Sequence, residues 1–153
     1  MKNKKLINYN IIQKELLKIF NKYFKIMEEN AMNIYDFWEA TLKQDAVKMR
    51  TFFHKEAHIN WHDTNEHFTL EEFIRANCEY PDQWSGKVER AERMGDLIIT
   101  ATHVYALNKP LSFHVVSFIQ LKDEKIILMD EYWGEDGDIP QWRKEKHIGK
   151  PIQ

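Results

Sequence analysis

The chain has 153 residues, of which 43% are hydrophobic and 13% aromatic, with only 5 Gly and 4 Pro. This composition closes one hydrophobic core and excludes a disordered or low-complexity chain. Lys plus Arg number 22 against 24 Asp plus Glu, a formal net charge of -2, so nucleic acid is not an expected partner.

At the N-terminus, MKNKKLINYN is basic but is not followed by the apolar run of about ten residues that a signal peptide needs. Asn10 with Gln13 reads as a capping box. Behind it Ile12, Leu16, Ile19, Phe20, Tyr23 and Met27 recur every three or four residues, which predicts an amphipathic helix over 11–29. Its polar face carries Glu15, Glu28 and Glu29, so the stripe reads as core or dimer packing before a membrane surface. A second helix is predicted over 32–43, with Ile34, Phe37, Trp38 and Leu42 on one side. Asp45 then caps a short helix ending near His54. Residues 57–63, AHINWHD, alternate as a strand. Thr69 and Glu72 form a second capping box, with Phe68 and Phe73 at the staple positions, so a helix starts at Leu70 and runs to Cys78. Pro81 ends it.

Beyond Pro81 the period changes from helical to two. Strands are predicted over 83–94, 97–106, 111–121 and 126–133, joined by turns at Gly95-Asp96, Asn108-Lys109-Pro110 and 122–125. Helices first and an antiparallel meander second predict an α+β domain with helices on one sheet face. No apolar run approaches the roughly 18 residues that span a bilayer, and the lone Cys78 cannot make an internal disulfide. We expect a cytoplasmic chain without a membrane partner. Cys78 sits near a helix C-terminus, where the dipole disfavours a thiolate, so it reads as an apolar filler.

Three segments carry a resemblance: FWEATLKQDAVKMRTFFHKEAHINW at 37–61, NWHDTNEHFTLEEFIRANCEYP at 60–81 and KIILMDEYWGEDG at 125–137. They resemble the SnoaL-like, nuclear-transport-factor-2-like superfamily, the cystatin-like cone of polyketide cyclases and ketosteroid isomerase. The resemblance divides the chain into a helical extension over 1–31, a SnoaL-like domain over 32–137 and a tail over 138–153. It implies a strongly curved antiparallel sheet around a central pocket. Aligning the last strand on its Gly-acid end places Met129, Glu131 and Trp133 on the pocket side, with Asp130 and Tyr132 outward. Counting back through the turn places His114, Val116, Phe118 and Gln120 on the pocket side too, and the first strand adds Ile59, Trp61 and Asp63. Phe37 and Phe73, with Cys78 and Tyr80 as further candidates, close the base or mouth. Ketosteroid isomerase has a Tyr donor, an Asp base and a neutral Asp where this chain has Phe37, Trp61 and Val116, so that activity is not carried over.

The resemblance implies a pocket for a small, mostly apolar molecule and cofactor-free acid–base chemistry of the isomerase, cyclase, dehydratase or hydrolase type. A non-catalytic ligand-binding or homodimeric module of the same fold is the competing reading. His114 and Glu131, expected side by side, are the candidate proton carriers, because a carboxylate beside an imidazole tunes both. Asp63 is the third catalytic candidate, against the alternative that Asp63 or Asn65 caps a turn. Phe37, Trp61, Phe73, Val116, Phe118, Met129 and Trp133 are the expected substrate-binding residues, and a homodimer the expected assembly. Among seven histidines, His58 and His62 have zinc-like spacing. On a strand, however, those positions lie about 13 Å apart, so no metal is expected.

Overall fold

The computed structural model describes residues 2–152, with side chains described for 12–26 and 31–152. The chain forms two compact units, Met1–Asn33 and Ile34–Gln153. The first is one helix, α1 (Lys2–Asn30). It begins well before the expected start at 11, and Leu6 and Tyr9 carry the three-to-four spacing of Ile12 and Leu16 upstream in the sequence. The expected Asn10 capping side chain and Met27 lie outside the described side chains. The stripe is exposed at Leu16, Phe20 and Tyr23, and no described helix is long and apolar enough to cross a membrane.

The second unit opens with α2 (Ile34–Leu42) and α3 (Ala46–Phe52). The Asp45 side chain accepts from the Lys48 N–H, so α3 starts where the cap predicts. Then come β1 (Phe53–Trp61), β2 (Glu66–Thr69) and α4 (Leu70–Cys78). Both halves of the Thr69–Glu72 capping box are made, satisfying two of the free N–H groups at the start of α4. The short β2 escaped the sequence reading. It folds back on β1 through a turn in which Asn65 has φ of +58°, a conformation Asn tolerates well.

The meander follows as β3 (Trp84–Met94), β4 (Leu97–Ala106), β5 (Ser112–Lys122) and β6 (Lys125–Glu135), then a short α5 (Gln141–Glu145). Six strands make one curved, unclosed sheet in the order β2-β1-β6-β5-β4-β3. All neighbours are antiparallel except β1 with β6, which run parallel. On the inner face α4 packs on β1 and α2 on β3. The core holds Phe37, Met49, Phe53, Phe73, Ile119, Ile126 and Met129. The Phe37 ring meets Phe53 at 5.7 Å and Phe53 meets Phe73 at 5.6 Å.

Candidate functional site

Between the helices and the inner sheet face lies a cavity of about 220 Å³. Helices α2 and α4 contribute Trp38, Thr41, Leu42, Ala76 and Asn77, and the strands contribute Trp61, Trp84, Val104, Phe113 and Trp133. Gln44, Asp63, Thr64 and Tyr80 complete the lining from the connecting segments. The wall is a chain of ring contacts: Trp61–Trp133 at 6.3 Å, Trp133–Phe113 at 6.1 Å, Phe113–Trp84 at 6.2 Å and Trp84–Tyr80 at 5.4 Å. Such a wall presents apolar ring surface, and the Trp84 N–H is held by the Pro81 carbonyl oxygen at 3.0 Å. Most cavity-facing groups are apolar, and Asp63 is the one carboxylate among them.

Directly behind this wall sits Glu131, only 2% exposed. Its Oε2 accepts from Trp61 Nε1 at 2.7 Å and from Trp133 Nε1 at 3.3 Å, and its Oε1 from Ser117 Oγ at 2.9 Å. Burial pushes its carboxyl up to about 7; the three donors pull the other way, and the charge of Asp63 adds to the rise. The carboxyl therefore stands near the point of half-protonation at neutral pH. It does not line the cavity; it fixes the two indoles that do. One further inward polar group, the Thr102 hydroxyl, is buried without a hydrogen-bond partner.

His114 is not beside Glu131. Ser117 pairs with Glu131 and Val115 with Trp133, whereas His114 pairs with Gly134. Phe113, Val115, Ser117, Ile119 and Leu121 face inward from β5; His114, Val116, Phe118 and Gln120 are exposed on the outer face. The cause is one residue. Around the turn Lys122 pairs with Lys125 and Leu121 with Ile126, but Gln120 pairs with Leu128, so Ile127 is a bulge. A bulge moves the register by one and exchanges the faces of the partner strand. The position matched to the isomerase's neutral Asp, Val116, accordingly points outward.

Other expected residues divide between cavity and core. Trp61, Asp63 and Trp133 line the cavity. Phe37, Phe73 and Met129 share its side of the sheet but are buried beneath it, packing the core that supports the wall. Asp130 and Tyr132 face outward, as the parity of β6 requires: Asp130 accepts from Asn60 Nδ2 and contacts His62 Nε2, both at 2.8 Å. Burial raises the Asp130 carboxyl, but those two partners outweigh it and hold it below its ordinary value. His58 stacks on His67 at 5.2 Å and His62 on Tyr132 at 4.3 Å, so the zinc-like spacing of His58 and His62 brings no common ligand position. Cys78 is half-buried, its Sγ 3.3 Å from the Gln44 carbonyl oxygen, and burial pushes its thiol up.

No protein-family model matches the chain, and no curated protein matches its sequence. Solved structures do. A Kribbella flavida protein provisionally named a ketosteroid isomerase is 16% identical, with 82% of this chain and 91% of that one covered at a TM-score of 0.67. A nuclear-transport-factor-2-like protein of unknown function from Burkholderia xenovorans is 16% identical, with 83% and 95% covered at 0.65. The fold is the nuclear-transport-factor-2-like cone. An epoxide hydrolase from M. tuberculosis shares it at 12% identity, with 66% and 79% covered at 0.56. The cavity residues missed from sequence are those that need the three-dimensional path of the sheet. Trp84 and Phe113 sit at strand ends, where alternation is weakest. Thr41 and Ala76 sit on helices whose packing partners the sequence does not name, and Leu42 shares the apolar side of α2. Trp38 also ties α2 to the sheet, its Nε1 donating to Thr100 Oγ1 at 3.3 Å.

Proposed function

We propose that the cavity binds a small, mostly apolar molecule and that Asp63, at its wall, carries out acid–base chemistry on it, with Glu131 behind the wall as the acid that positions the site. The observation that carries this reading is Glu131, a buried acid held near neutrality and bonded to two cavity-lining indoles. Asp63 lines the cavity and is the group positioned to exchange a proton with a ligand. Glu131 is the positioning acid: its charge state sets the pull on the Trp61 and Trp133 N–H groups and raises or lowers the field at Asp63. Reaction classes of this kind include isomerisation, cyclisation, dehydration and hydrolysis. The names of structural neighbours, an isomerase and an epoxide hydrolase, support the same chemistry in those proteins.

Size constrains the ligand. A dry cavity of about 150 Å³ accepts benzene, so about 220 Å³ suits one ring with substituents or two small fused rings. The test is titration of intrinsic Trp fluorescence with a panel of mono- and bicyclic apolar compounds. Ala76→Phe, which fills the cavity from α4, is expected to weaken the best binder at least tenfold with the fold intact by circular dichroism. Asp63→Asn should keep binding and remove turnover of any panel member that reacts. A panel in which nothing binds, or binding indifferent to Ala76→Phe, defeats the reading.

A further inference from the structure

We propose that Glu89, His103 and His114 form a divalent-metal site of the zinc class on the outer face of the sheet, away from the cavity. The three residues come from three adjacent strands, β3, β4 and β5. His103 and His114 are direct cross-strand partners, and their rings stack at 4.6 Å with planes 8° apart. Glu89 owes its place to a second bulge. Val88 pairs with Thr102 and Arg90 with Ala101, leaving Glu89 without a partner, and a bulge re-aims the side chain it frees. Glu89 Oε2 lies 3.6 Å from His114 Nε2. One ligand atom from each of the three residues lies within 4.8 Å of the others, so small rotamer changes bring all three to the roughly 2.0–2.2 Å bonds of zinc.

The surroundings match what a ligating histidine needs. His114 Nδ1 is 2.5 Å from Asp136 Oδ1. A carboxylate only accepts, so Nδ1 carries the hydrogen and Nε2 presents its lone pair toward Glu89. That is the carboxylate–histidine–metal relay that fixes tautomer and ring orientation. Asp136 is itself held: Ser112 Oγ donates to its Oδ2 at 2.5 Å, and its backbone N–H donates to the Ser112 carbonyl at 2.9 Å. Asp136 Oδ2 also lies 3.5 Å from His103 Nε2, so the same carboxylate stands near both rings and is hydrogen-bonded to that of His114. Two imidazoles and a carboxylate select zinc or its first-row neighbours over calcium, which prefers all-oxygen sites. For the stacked pair His58 and His67 the Nδ1 partner of His67 is the neutral Asn60 side-chain oxygen, not a carboxylate, and no metal-ligand cluster includes either residue among the described residues. Sequence spacing hides the site because intervals of 14 and 11 residues between its ligands match no local motif.

The test is isothermal titration of chelator-treated full-length protein with Zn2+, with Ca2+ as the control ion. About one equivalent of Zn2+ should bind per chain and raise Tm, because a ligand that binds the folded state stabilises it. Substituting Co2+ should give visible absorption bands from nitrogen ligation. The double variant His103→Ala/His114→Ala should lose at least tenfold in affinity, and Glu89→Gln several-fold. The double variant His58→Ala/His67→Ala should bind as the parent does. Absence of Zn2+ binding, binding that survives in His103→Ala/His114→Ala, or equal loss in the His58/His67 variant overturns the site. Should the first double variant fail to fold, Glu89→Gln decides alone, and unchanged affinity there overturns the site too.

Discussion

Glu131 combines near-complete burial with three donors and no cation among its close partners. Its donors suit a carboxylate, while its burial favours the neutral acid, and burial wins. The consequence for stability follows from the sign of the shift. The folded-state value, about 7, lies above the ordinary 4.5. Below the ordinary value both folded and unfolded chains hold the proton, and Glu131 costs nothing in charge burial. As pH rises from there toward 7 the unfolded chain ionises first, and stability falls by on the order of 3 kcal/mol. Urea unfolding across pH 4.5–8 should show this loss in the parent, and Glu131→Gln, neutral throughout, should lack it. Asp130 and Asp136 do not blur the window: both are held below the ordinary 3.8, so their contributions vanish only under stronger acid. Parallel profiles for parent and variant would mean that Glu131 is not the buried titrating acid.

At the scale of elements, the sheet and α2 approach each other through Gly86 on β3. A Cβ there would collide with the His103 carbonyl oxygen and press on Leu42 Cδ2 at 3.2 Å. Leu42 lines the cavity, and so does Val104, the partner of Gly86 across the ladder. Gly86→Ala must therefore move backbone, and we expect a loss of about 1–3 kcal/mol from overpacking, seen as a lower urea midpoint. A neutral substitution would show that α2 has slack above β3. Legibility from sequence also divides at this scale. Caps and hairpins are local, so the Asp45 cap, the Thr69 box and the extent of β4 were readable to the residue. The bulge at Ile127 is one apolar residue inside an apolar strand, and nothing local marks it. It reversed the faces of β5, hid Ser117 as a partner of Glu131 and placed His114 wrongly inside. The parallel pairing of β1 with β6 spans about half the chain and was likewise invisible to local pattern. β6 read correctly because its alternation was anchored at its own end.

At the scale of the molecule, the outer sheet face raises the question of assembly. Val116 and Phe118 on β5 and Leu128 and Tyr132 on β6 are each 37–48% exposed, and Phe118 meets Tyr132 edge-on at 6.0 Å. Val116 and Tyr132 are direct cross-strand partners, so these side chains form one contiguous apolar patch. Asp130, the ladder partner of Phe118, stands within the patch between Leu128 and Tyr132, and its contacts with Asn60 and His62 carry polar groups on toward β1. Patches of this kind mark interaction sites, and a second copy offers the same patch in complementary orientation about a two-fold axis. We propose a homodimer through this face. Light scattering on a sizing column should give about twice the 18.5 kDa of one chain. Phe118→Glu or Tyr132→Glu should halve that mass, since an unpaired carboxylate at the centre of an apolar interface is costly to bury. Phe20→Glu, on the exposed stripe of α1, serves as the contrast: if it alone dissolves the dimer, the N-terminal helix and not the sheet holds the two copies together. A parent that runs at the mass of a single chain rejects both interfaces.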